Sequence, residues 1–524
     1  MMAQLSSPPT ATEHEQLAEA VIPESQLAPN SMEAVRALPQ FLIALRDIEQ
    51  RTQASYDRLP IDVQQKIVLR RLRQLVNIAR LNPLWRERLD AAGLSQGIHS
   101  FEDFQAVPLT DKETFREFFT GSRAGMVVPI DRGGFEVVAS GGTSSGKPSE
   151  TVYSLKELQD TYELAGEFIG RHMMPRYLGE HGSRWVATTL ADYQMWSSGT
   201  MVGGVLQKIP GVNYIGAGPM SREVYHMMMS YPGNKAIMGI TQSIALLAGF
   251  ADQMDNEARD SFRLALYGSG VLRKKVQDDL RIAYPNISVL SYFAATQAEA
   301  IGLQLDEESN LLSAVPGLHF IEVVDAEGRW VGEGEEGELV VTRLHANETP
   351  VFRYKIGDRV IRRPHLITSS LNTAQFEFVG RSGDFMHIGD TQYNVKQAFE
   401  NIVLEFQKQG ILDIDEVAAE VQFVNYREKK ELHLLVATSA YLELLPVVAQ
   451  RLGPAGASPV MIRGLIRSLS VFNSLEANEV ALQRAGYSFG LRLIAPSSPD
   501  LVRTEVGKVP LLVDVVSSGD GVTL

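Results

Sequence analysis

The sequence predicts an α/β fold with a large N-terminal domain of mixed and parallel sheets flanked by helices, followed by a small C-terminal α+β domain. Apolar runs at residues 185–188, 236–238 and 289–292 alternate with helical stretches, the pattern of a mostly parallel sheet. Short strands at 319–324 and 338–342 predict a small antiparallel β element. At 524 residues the chain exceeds what one hydrophobic core usually spans, so two or more domains are expected.

The N-terminal residues 1–31 are expected to form a disordered extension. They are polar, contain several prolines and glutamates, and lack the basic start and apolar run of a signal peptide. Helical periodicity begins near Met32 and continues to Leu89. Further on, Thr110 and Glu113 are expected to form a capping box at the start of a helix.

The domain boundary is predicted at a glycine-bearing polar segment, residues 380–384. A helix starting near Val395 and new strands after it indicate a separate unit. We therefore expect the large domain to span residues 32–380 and the small domain to span residues 381–524.

The net charge and the lack of cysteine argue against several kinds of binding partner and site. The formal net charge of −14 argues against a nucleic-acid or anionic-membrane partner, because phosphate backbones require clustered lysines and arginines. The absence of cysteine excludes disulfides, thiolate metal sites and a cysteine nucleophile. No stretch approaches the roughly 18 apolar residues of a membrane span. The protein is expected to be soluble and cytoplasmic.

A glycine-rich loop follows the apolar run at residues 137–139 and suits a polyphosphate. Glycines let backbone N–H groups converge on an anion, hydroxyls add donors, and a lysine adds positive charge. The alternative interpretation is a solvated turn. A Walker A loop is not expected, because Pro148 stands where that motif needs Ser or Thr. The predicted phosphate-binding residues are Ser140, Gly141, Gly142, Thr143, Ser144, Ser145, Gly146 and Lys147.

A serine hydrolase is the competing enzyme class, because residues 486–490 match the Gly-x-Ser-x-Gly elbow around Ser488. In that fold the triad histidine follows the serine. The last histidine here is His433, so this interpretation fails. The histidines also lack the His-Glu-x-x-His spacing of a zinc protease.

Four further segments, in the same order, resemble the motifs of adenylate-forming ligases. They are residues 292–297, similar to Tyr-Gly-x-Thr-Glu; 352–358, similar to Arg-Tyr-x-x-Gly-Asp; 380–384, similar to the interdomain hinge; and 503–508, similar to Thr-x-x-Gly-Lys. Non-catalytic stretches resemble phenylacetate-CoA ligases in particular, at residues 72–76, 82–88, 101–104, 107–110 and 350–354. Over about residues 55–520 the chain therefore resembles the adenylate-forming (acyl-AMP) ligase superfamily and is phenylacetate-CoA ligase-like.

The resemblance implies a two-step reaction and a mobile small domain. A carboxylic acid, expected to be aromatic or cyclic, would be activated by ATP as an acyl-adenylate with release of pyrophosphate, and the acyl group would pass to coenzyme A. The implied cofactors are ATP, Mg²⁺ and coenzyme A, the implied partner is a small-molecule carboxylic acid, and a homodimer is left open. Because residues 388–393 depart from the usual pantetheine-binding form, an amine or a carrier-protein thiol is an alternative acceptor. A non-catalytic nucleotide- or acyl-binding homologue is a further alternative.

The resemblance also assigns roles to residues of the nucleotide site. Lys508 would be the catalytic lysine of adenylation, and Thr296 would orient phosphate. Asp358 would accept hydrogen bonds from the ribose diol, and Arg381 would contact a ribose or phosphate oxygen. The other nucleotide-binding residues are Gly268, Ser269, Gly270, Tyr292, Phe293, Ala294 and Ala295, with Tyr292 or Phe293 stacking on adenine.

Two assignments concern the metal and the acid. Gln297 stands where the family has a metal-binding glutamate, so Gln297 or Glu299 is expected to assist the metal. The acyl pocket is expected to be lined by Tyr193, Trp196, Met238 and Gly239, of which the aromatic pair favours an aromatic or cyclic acid.

Overall fold

The computed structural model describes most of the chain. Its described residues are 11–139, 150–193, 195–252, 254–270, 272–381, 385–389, 391–468, 475–504 and 507–515. The predicted phosphate loop, residues 140–148, and residues 382–384 of the predicted hinge lie outside them.

Helices dominate the first part of the chain and surround the central sheet. They are α1 Ala11–Val21, α2 Glu24–Leu27, α3 Met32–Ala37, α4 Phe41–Thr52, α5 Ile61–Ala79, α6 Pro83–Ala91, α7 Phe101–Gln105, α8 Lys112–Phe119, α9 Leu155–His172, α10 Met174–Leu178, α11 Ser198–Gln207, α12 Arg222–Met229, α13 Thr241–Leu246, α14 Asn256–Ser261 and α15 Lys274–Ala283. Single 3₁₀ turns lie at Tyr56–Arg58, Ile130–Arg132 and Leu247–Phe250. Capping side chains and prolines determine where several of these helices begin. Asn82 accepts hydrogen bonds from the backbone of Leu84 and Trp85, and Pro83 occupies the first helical position of α6.

The strands that precede the predicted hinge form a hairpin and one large sheet. They are β1 Phe135–Ala139, β2 Glu150–Ser154, β3 Arg184–Thr188, β4 Asn213–Gly216, β5 Asn234–Ile240, β6 Phe262–Gly268, β7 Ser288–Ala295, β8 Glu299–Gln304, β9 Leu312–Ala314, β10 His319–Val324, β11 Glu336–Arg343, β12 Tyr354–Ile367 and β13 Asn372–Arg381. β1 and β2 pair as the hairpin. The other eleven strands follow the order β10-β11-β12-β13-β9-β8-β7-β6-β5-β3-β4.

The large sheet confirms the α/β class and refines it. β4, β3, β5, β6 and β7 are parallel neighbours, as the apolar runs predict. The antiparallel strands do not form a separate small element. β7 pairs with β6 in parallel through residues 288–291 and with β8 in antiparallel through residues 292–295. One strand therefore joins the two halves.

The segment after β13 builds the expected small α+β region. Its strands are β14 Phe385–Ile388, β15 Thr391–Asn394, β16 Glu420–Tyr426, β17 Glu431–Ala437, β18 Ser488–Ile494 and β19 Leu512–Val515, and its helices are α16 Val395–Lys408, α17 Ile414–Val417, α18 Tyr441–Leu452, α19 Ser458–Ser468 and α20 Leu475–Ala485, with a 3₁₀ turn at Gly453–Ala455. The main sheet has the order β18-β17-β16-β19. Its apolar cluster begins at Met386 and is separate from the clusters of the preceding region.

The N-terminal residues differ from the expected disorder. Two helices, α1 and α2, lie within residues 11–27, and Ile22 is only 2% exposed. Polar side chains of α5 hold their carbonyls, since Gln74 Nε2 donates to Gln26 O at 2.8 Å and Asn77 Nδ2 donates to Leu27 O at 3.1 Å. These partners stand about fifty positions further along the chain, so that local composition does not reveal them.

The capping box expected at Thr110 and Glu113 is wrong. The N-cap of α8 is Asp111, whose carboxylate accepts from Thr114 N at 2.8 Å. Thr110 instead pairs with the start of β12: its N–H donates to Arg353 O at 3.0 Å, and its carbonyl accepts from Lys355 N at 2.9 Å. The tertiary pairing uses Thr110 and shifts the helix start by one residue.

Candidate active site

Asp358 is aimed by an irregularity in β12. Glu338 of β11 pairs with Arg359 and Val340 pairs with Lys355, so that residues 356–358 stand opposite a single residue of β11. Gly357 has a φ of 87°, which a side chain would oppose. Bulges of this kind redirect side chains at the edges of functional sites. The resulting position leaves Asp358 only 6% exposed.

Asp358 and Lys508 both lie close to Arg381. Arg381 is the cross-strand partner of Asp358 on β13, with Nε 3.6 Å from Oδ1. Lys508 comes from the C-terminal region. Burial and, secondarily, the positive charge of Arg381 lower the pKa of Lys508 to about 8. The structure thus places Lys508 close to Arg381, which in turn lies beside Asp358.

A third cation, Lys112, stands at the same place and was missed by the sequence reasoning. It is the first residue of α8, and its Nζ lies 3.8 Å from where a Cβ on Gly357 would be. Burial and the charge of Arg381 lower the pKa of Lys112, while Asp358 acts in the opposite direction. The pairing of Thr110 with β12 fixes this position, and a lone lysine after a helix cap carries no signal of it in the sequence.

The loop that carries Lys508 is closed by its own threonine. Thr504 N donates to Lys508 O at 2.8 Å, and Lys508 N donates to Thr504 Oγ1 at 3.1 Å. Gly507 N donates to Thr504 O at 2.8 Å and has a φ of 77°, in the left-handed region that favours glycine. The hydrogen bonds of Thr504 and the left-handed backbone of Gly507 therefore explain the residues of the Thr-x-x-Gly-Lys motif.

The base of the β1–β2 hairpin is tied to two other predicted segments. Ala139, the last residue of β1, donates its N–H to Met195 O at 2.9 Å. Tyr153 of β2 donates its hydroxyl to Thr296 O at 2.7 Å. Tyr153 is fully buried, and burial raises its pKa well above the usual value, so the hydroxyl remains a donor. The sequence reasoning missed Tyr153.

The turn between β7 and β8 holds the metal-ligand candidates. Gln297 and Glu299 are 9% and 8% exposed. Glu299 has a φ of 52°, and its Oε2 is buried without a hydrogen-bond partner. Burial, and then the charge of Glu157, raises the pKa of Glu299 well above its usual range. No cluster of three or more metal-ligating side chains is found in the described part of the chain.

The predicted adenine-side residues lie at the ends of β6 and β7. A Cβ on Gly268 would stand 2.5 Å from the Tyr292 ring, so the glycine is needed for that ring to fit. Tyr292 is 9% exposed and belongs to the main core. Phe293 packs against Phe376 and Phe378 of β13 at ring-centre distances of 6.0 and 5.7 Å.

The backbone around these glycines is locally unusual. Ser269 has a φ of 69°, and Thr241 Oγ1 donates to Gly268 O at 3.1 Å. Ala294 is exposed and Ala295 is half-buried. Which ring stacks on adenine stays a prediction.

Known proteins are similar to this chain over most of its length. Phenylacetate-coenzyme A ligase of Thermus thermophilus is 25% identical over 400 residues, which cover 72% of this chain and 85% of the relative. Phenylacetate-coenzyme A ligase of Escherichia coli is 21% identical over 380 residues, covering 69% and 83%. A crystal structure of 2-hydroxyisobutyryl-CoA ligase in the postadenylation state, with 2-HIB-AMP bound, superposes with a TM-score of 0.63 at 18% identity, covering 88% of this chain and 91% of that one. No protein-family model matches the chain.

The chain is therefore similar to phenylacetate-CoA ligases and has the fold of the adenylate-forming ligases. The predicted resemblance and the AMP-forming ligase class of enzyme are confirmed. None of the described helices has the length and apolar character needed to cross a membrane.

The residues predicted to line the acid pocket fall into two groups. Met238 and Gly239 lie in β5, at the carboxyl end of the parallel strands, where α/β folds bind ligands. Tyr193 and Trp196 form a tight bridge, with Tyr193 N donating to Trp196 O at 3.0 Å and the rings 6.2 Å apart. Tyr193 is 55% exposed, so it lies at the surface rather than inside a closed pocket.

Proposed function

We propose that this adenylate-forming ligase activates a small aromatic or cyclic carboxylic acid with ATP and transfers the acyl group to the thiol of coenzyme A. One observation carries the adenylation step: Lys508 of the C-terminal region lies close to Arg381, the last residue of β13, which in turn lies beside Asp358 of β12. Two cations and one carboxylate at one place suit a nucleotide, whose phosphates need positive charge and whose ribose diol needs an acceptor.

In the first step a carboxylate oxygen of the acid attacks the α-phosphorus of ATP, the bond to the bridging oxygen breaks, and pyrophosphate leaves. Negative charge accumulates on oxygens around phosphorus, and positioned cations stabilise it. Lys508 and Arg381 would supply this charge. Asp358 would accept hydrogen bonds from both ribose hydroxyls, and Thr296 would orient a phosphate oxygen.

Mg²⁺ bound with ATP would neutralise part of the phosphate charge. Glu299 suits this ion, because one of its buried carboxylate oxygens has no hydrogen-bond partner. A nearby cation would favour the charged carboxylate that burial disfavours. Mg²⁺ commonly uses one or two carboxylates together with phosphate and water oxygens, so one protein carboxylate suffices.

In the second step the thiol sulfur of coenzyme A attacks the acyl carbon, the bond to the phosphate oxygen breaks, and AMP leaves with the proton going to solvent. The names of the two curated relatives, both phenylacetate-coenzyme A ligases, support this acceptor. Those names and the Tyr193–Trp196 ring pair support an aromatic or cyclic acid. The small domain would turn about residues 380–384 to withdraw Lys508 and admit the thiol.

The test separates the two half-reactions. Acid-dependent exchange of labelled pyrophosphate into ATP reports adenylation, and mass spectrometry after addition of coenzyme A or an amine identifies the acceptor. Lys508→Ala should lower exchange by about 100-fold or more, the scale of losing one oriented transition-state group. It should leave transfer from a supplied acyl-adenylate largely intact. Lys429→Ala, which changes a lysine over the Tyr426 ring in the same region, is the control and should affect neither step.

Three outcomes would contradict the proposal. The absence of exchange across a broad panel of aryl and cyclic acids would contradict the proposed adenylation step. An equal loss of both half-reactions in Lys508→Ala would contradict the proposed movement of the small domain. An amide as the only product would show that the acceptor is an amine and not coenzyme A.

A further inference from the structure

Gln422 of β16 makes three hydrogen bonds to the loop that carries Lys508. Its Nε2 donates to Val502 O at 2.9 Å and to Pro510 O at 3.1 Å, and its Oε1 accepts from Val502 N at 2.9 Å. Gln422 has no exposed surface. One buried amide thus joins the two ends of the loop, one before Lys508 and one after it.

The amide group explains why this contact needs glutamine. A side-chain amide presents two donor hydrogens and one acceptor oxygen in one plane, so it satisfies two carbonyls and one N–H together. A buried polar group with all its partners has a fixed position, because leaving any of them unpaired is costly. The two loop ends are therefore held at a defined separation from each other and from β16.

A second contact on the same strand points to the same loop. Glu420 stands two positions before Gln422, on the same face of β16. Its Oε1 accepts from Arg503 Nη1 at 2.9 Å. Between these anchored ends, Thr504 closes the loop onto Lys508 by two hydrogen bonds. Hydrogen bonds therefore connect β16 with the loop and the loop with the backbone of Lys508.

We propose that Gln422 is a positioning residue for adenylation, which clamps the two ends of the loop and holds Lys508 close to Arg381. It acts through Lys508 and does not contact substrate. The inference rests on the proposed function, since it assumes that Lys508 serves the first half-reaction. A displacement of about 1 Å at a reacting centre can lower a rate about 100-fold, so loss of the clamp has a measurable consequence.

Asn425 provides a matched control on the same strand. It is a side-chain amide with no exposed surface, like Gln422. Its Nδ2 donates to His387 O at 3.2 Å and to Asp514 Oδ1 at 2.8 Å, and neither partner belongs to the Lys508 loop. Replacing it removes a comparable number of buried hydrogen bonds without releasing the loop.

The experiment compares Gln422→Met with Asn425→Leu, each a change to an apolar side chain of similar size. Gln422→Met should lower acid-dependent pyrophosphate exchange by about 10- to 100-fold. Transfer from a supplied acyl-adenylate to coenzyme A should change by less than about threefold, because Lys508 is withdrawn in that step. Asn425→Leu should affect the two half-reactions equally. Both variants should lose similar thermal stability.

The pH profile gives a readout that general destabilisation does not move. Burial and Arg381 lower the pKa of Lys508 to about 8, against an ordinary value of 10.5. When the loop is released, Lys508 loses both influences, so the basic limb of pyrophosphate exchange should move to higher pH in Gln422→Met. If that variant does not fold, Gln422→Asn replaces it, because the shorter amide cannot reach both carbonyls; the same separation of the half-reactions is expected.

Retention of exchange within about twofold in the Gln422 variant would overturn the inference. So would an equal loss of both half-reactions, as expected of a structural residue. Lys508→Ala is measured in parallel. If that change leaves exchange intact, the proposed function fails; if it abolishes exchange while the Gln422 variant does not, only the clamp is wrong.

Discussion

The guanidinium carbon of Arg273 lies 4.3 Å from the centre of the Phe399 ring. Arg273 immediately precedes α15 in the large domain, and Phe399 belongs to α16 in the small domain. Nη1 of the same arginine is 3.8 Å from Asp415 Oδ1, and burial lowers the pKa of Arg273 to about 10. This contact therefore joins the two regions in the arrangement that places Lys508 close to Arg381.

Arg273→Ala should weaken adenylation selectively. A partly desolvated cation–π contact contributes roughly 0.5 to 2 kcal/mol, so we expect pyrophosphate exchange to fall about 3- to 30-fold. Transfer from a supplied acyl-adenylate should be unchanged or faster, because the small domain leaves its position more readily. The two half-reaction rates, measured separately, check this.

Arg281→Ala is the matched control for that change. Arg281 lies in α15, which Arg273 precedes, but its ion pairs, with Asp278 at 3.4 Å and Glu307 at 3.1 Å, do not reach the C-terminal region. It should leave both half-reactions near their original rates. A similar loss of exchange in the two variants would mean that Arg273 acts through the helix rather than across the domains.

Adenylation should lose rate as the pH rises through about 8. Lysine is charged below its pKa, and the pKa of Lys508 is lowered from 10.5 to about 8 by burial and by Arg381. The ammonium form is therefore lost at a lower pH than for an ordinary lysine. The basic limb of kcat/KM for ATP in pyrophosphate exchange should fall near pH 8.

Arg381→Gln should move that limb to higher pH, since it removes the positive neighbour of Lys508. The absolute rate will also fall, but the position of the limb is independent of it. An unmoved limb would show that a group other than Lys508 titrates.

Glu299→Gln should weaken the binding of the Mg²⁺ that adenylation requires. The change keeps the shape of the side chain and removes the charge that would hold the ion. The Mg²⁺ concentration for half-maximal exchange should rise about tenfold or more, the scale found when groups around a metal site are removed.

Gln297→Ala decides between the two metal-ligand candidates. If Glu299 supplies the ligand, this variant should need little more Mg²⁺ than the original protein. A larger requirement in Gln297→Ala than in Glu299→Gln would reverse the assignment.

Tyr153→Phe should raise KM for ATP and lower stability. The change leaves the partly buried carbonyl of Thr296 without its donor, which costs about 1 to 3 kcal/mol in the free energy of unfolding. Because the bond joins the β1–β2 hairpin to the Thr296 turn, nucleotide binding should weaken together with stability.

Tyr284→Phe separates these two effects. The Tyr284 hydroxyl donates to Leu247 O at 2.5 Å in a buried region that contains none of the predicted nucleotide-binding residues. This variant should lose similar stability in chemical denaturation, with KM for ATP unchanged. A raised KM in both would reduce the role of Tyr153 to general folding.

Features that depend on neighbouring residues could be predicted from the sequence. Residue positions that depend on pairing between distant segments could not. Hydrophobic periodicity predicts the parallel strands and the helix at Val395, and the order of residues in the sequence is enough to find the family motifs. Lys112 and Gln422 do not, because their positions depend on backbone segments far away in the chain: Lys112 on the pairing of Thr110 with β12, and Gln422 on the ends of the Lys508 loop. The N-terminal helices were missed for the same reason, since α5 supplies their hydrogen-bond partners.

The hydrogen bond from Ala139 N to Met195 O connects the strand that leads into the predicted phosphate loop with the turn that carries Tyr193 and Trp196. A ligand that orders one of these two segments also restrains the other through this hydrogen bond. The second ligand then loses less conformational entropy when it binds. Acid and nucleotide should therefore bind with positive cooperativity. Thermodynamic linkage makes the effect reciprocal: the factor by which the acid tightens ATP binding equals the factor by which ATP tightens binding of the acid. Poor acids should accordingly be recognised by how little they improve nucleotide affinity.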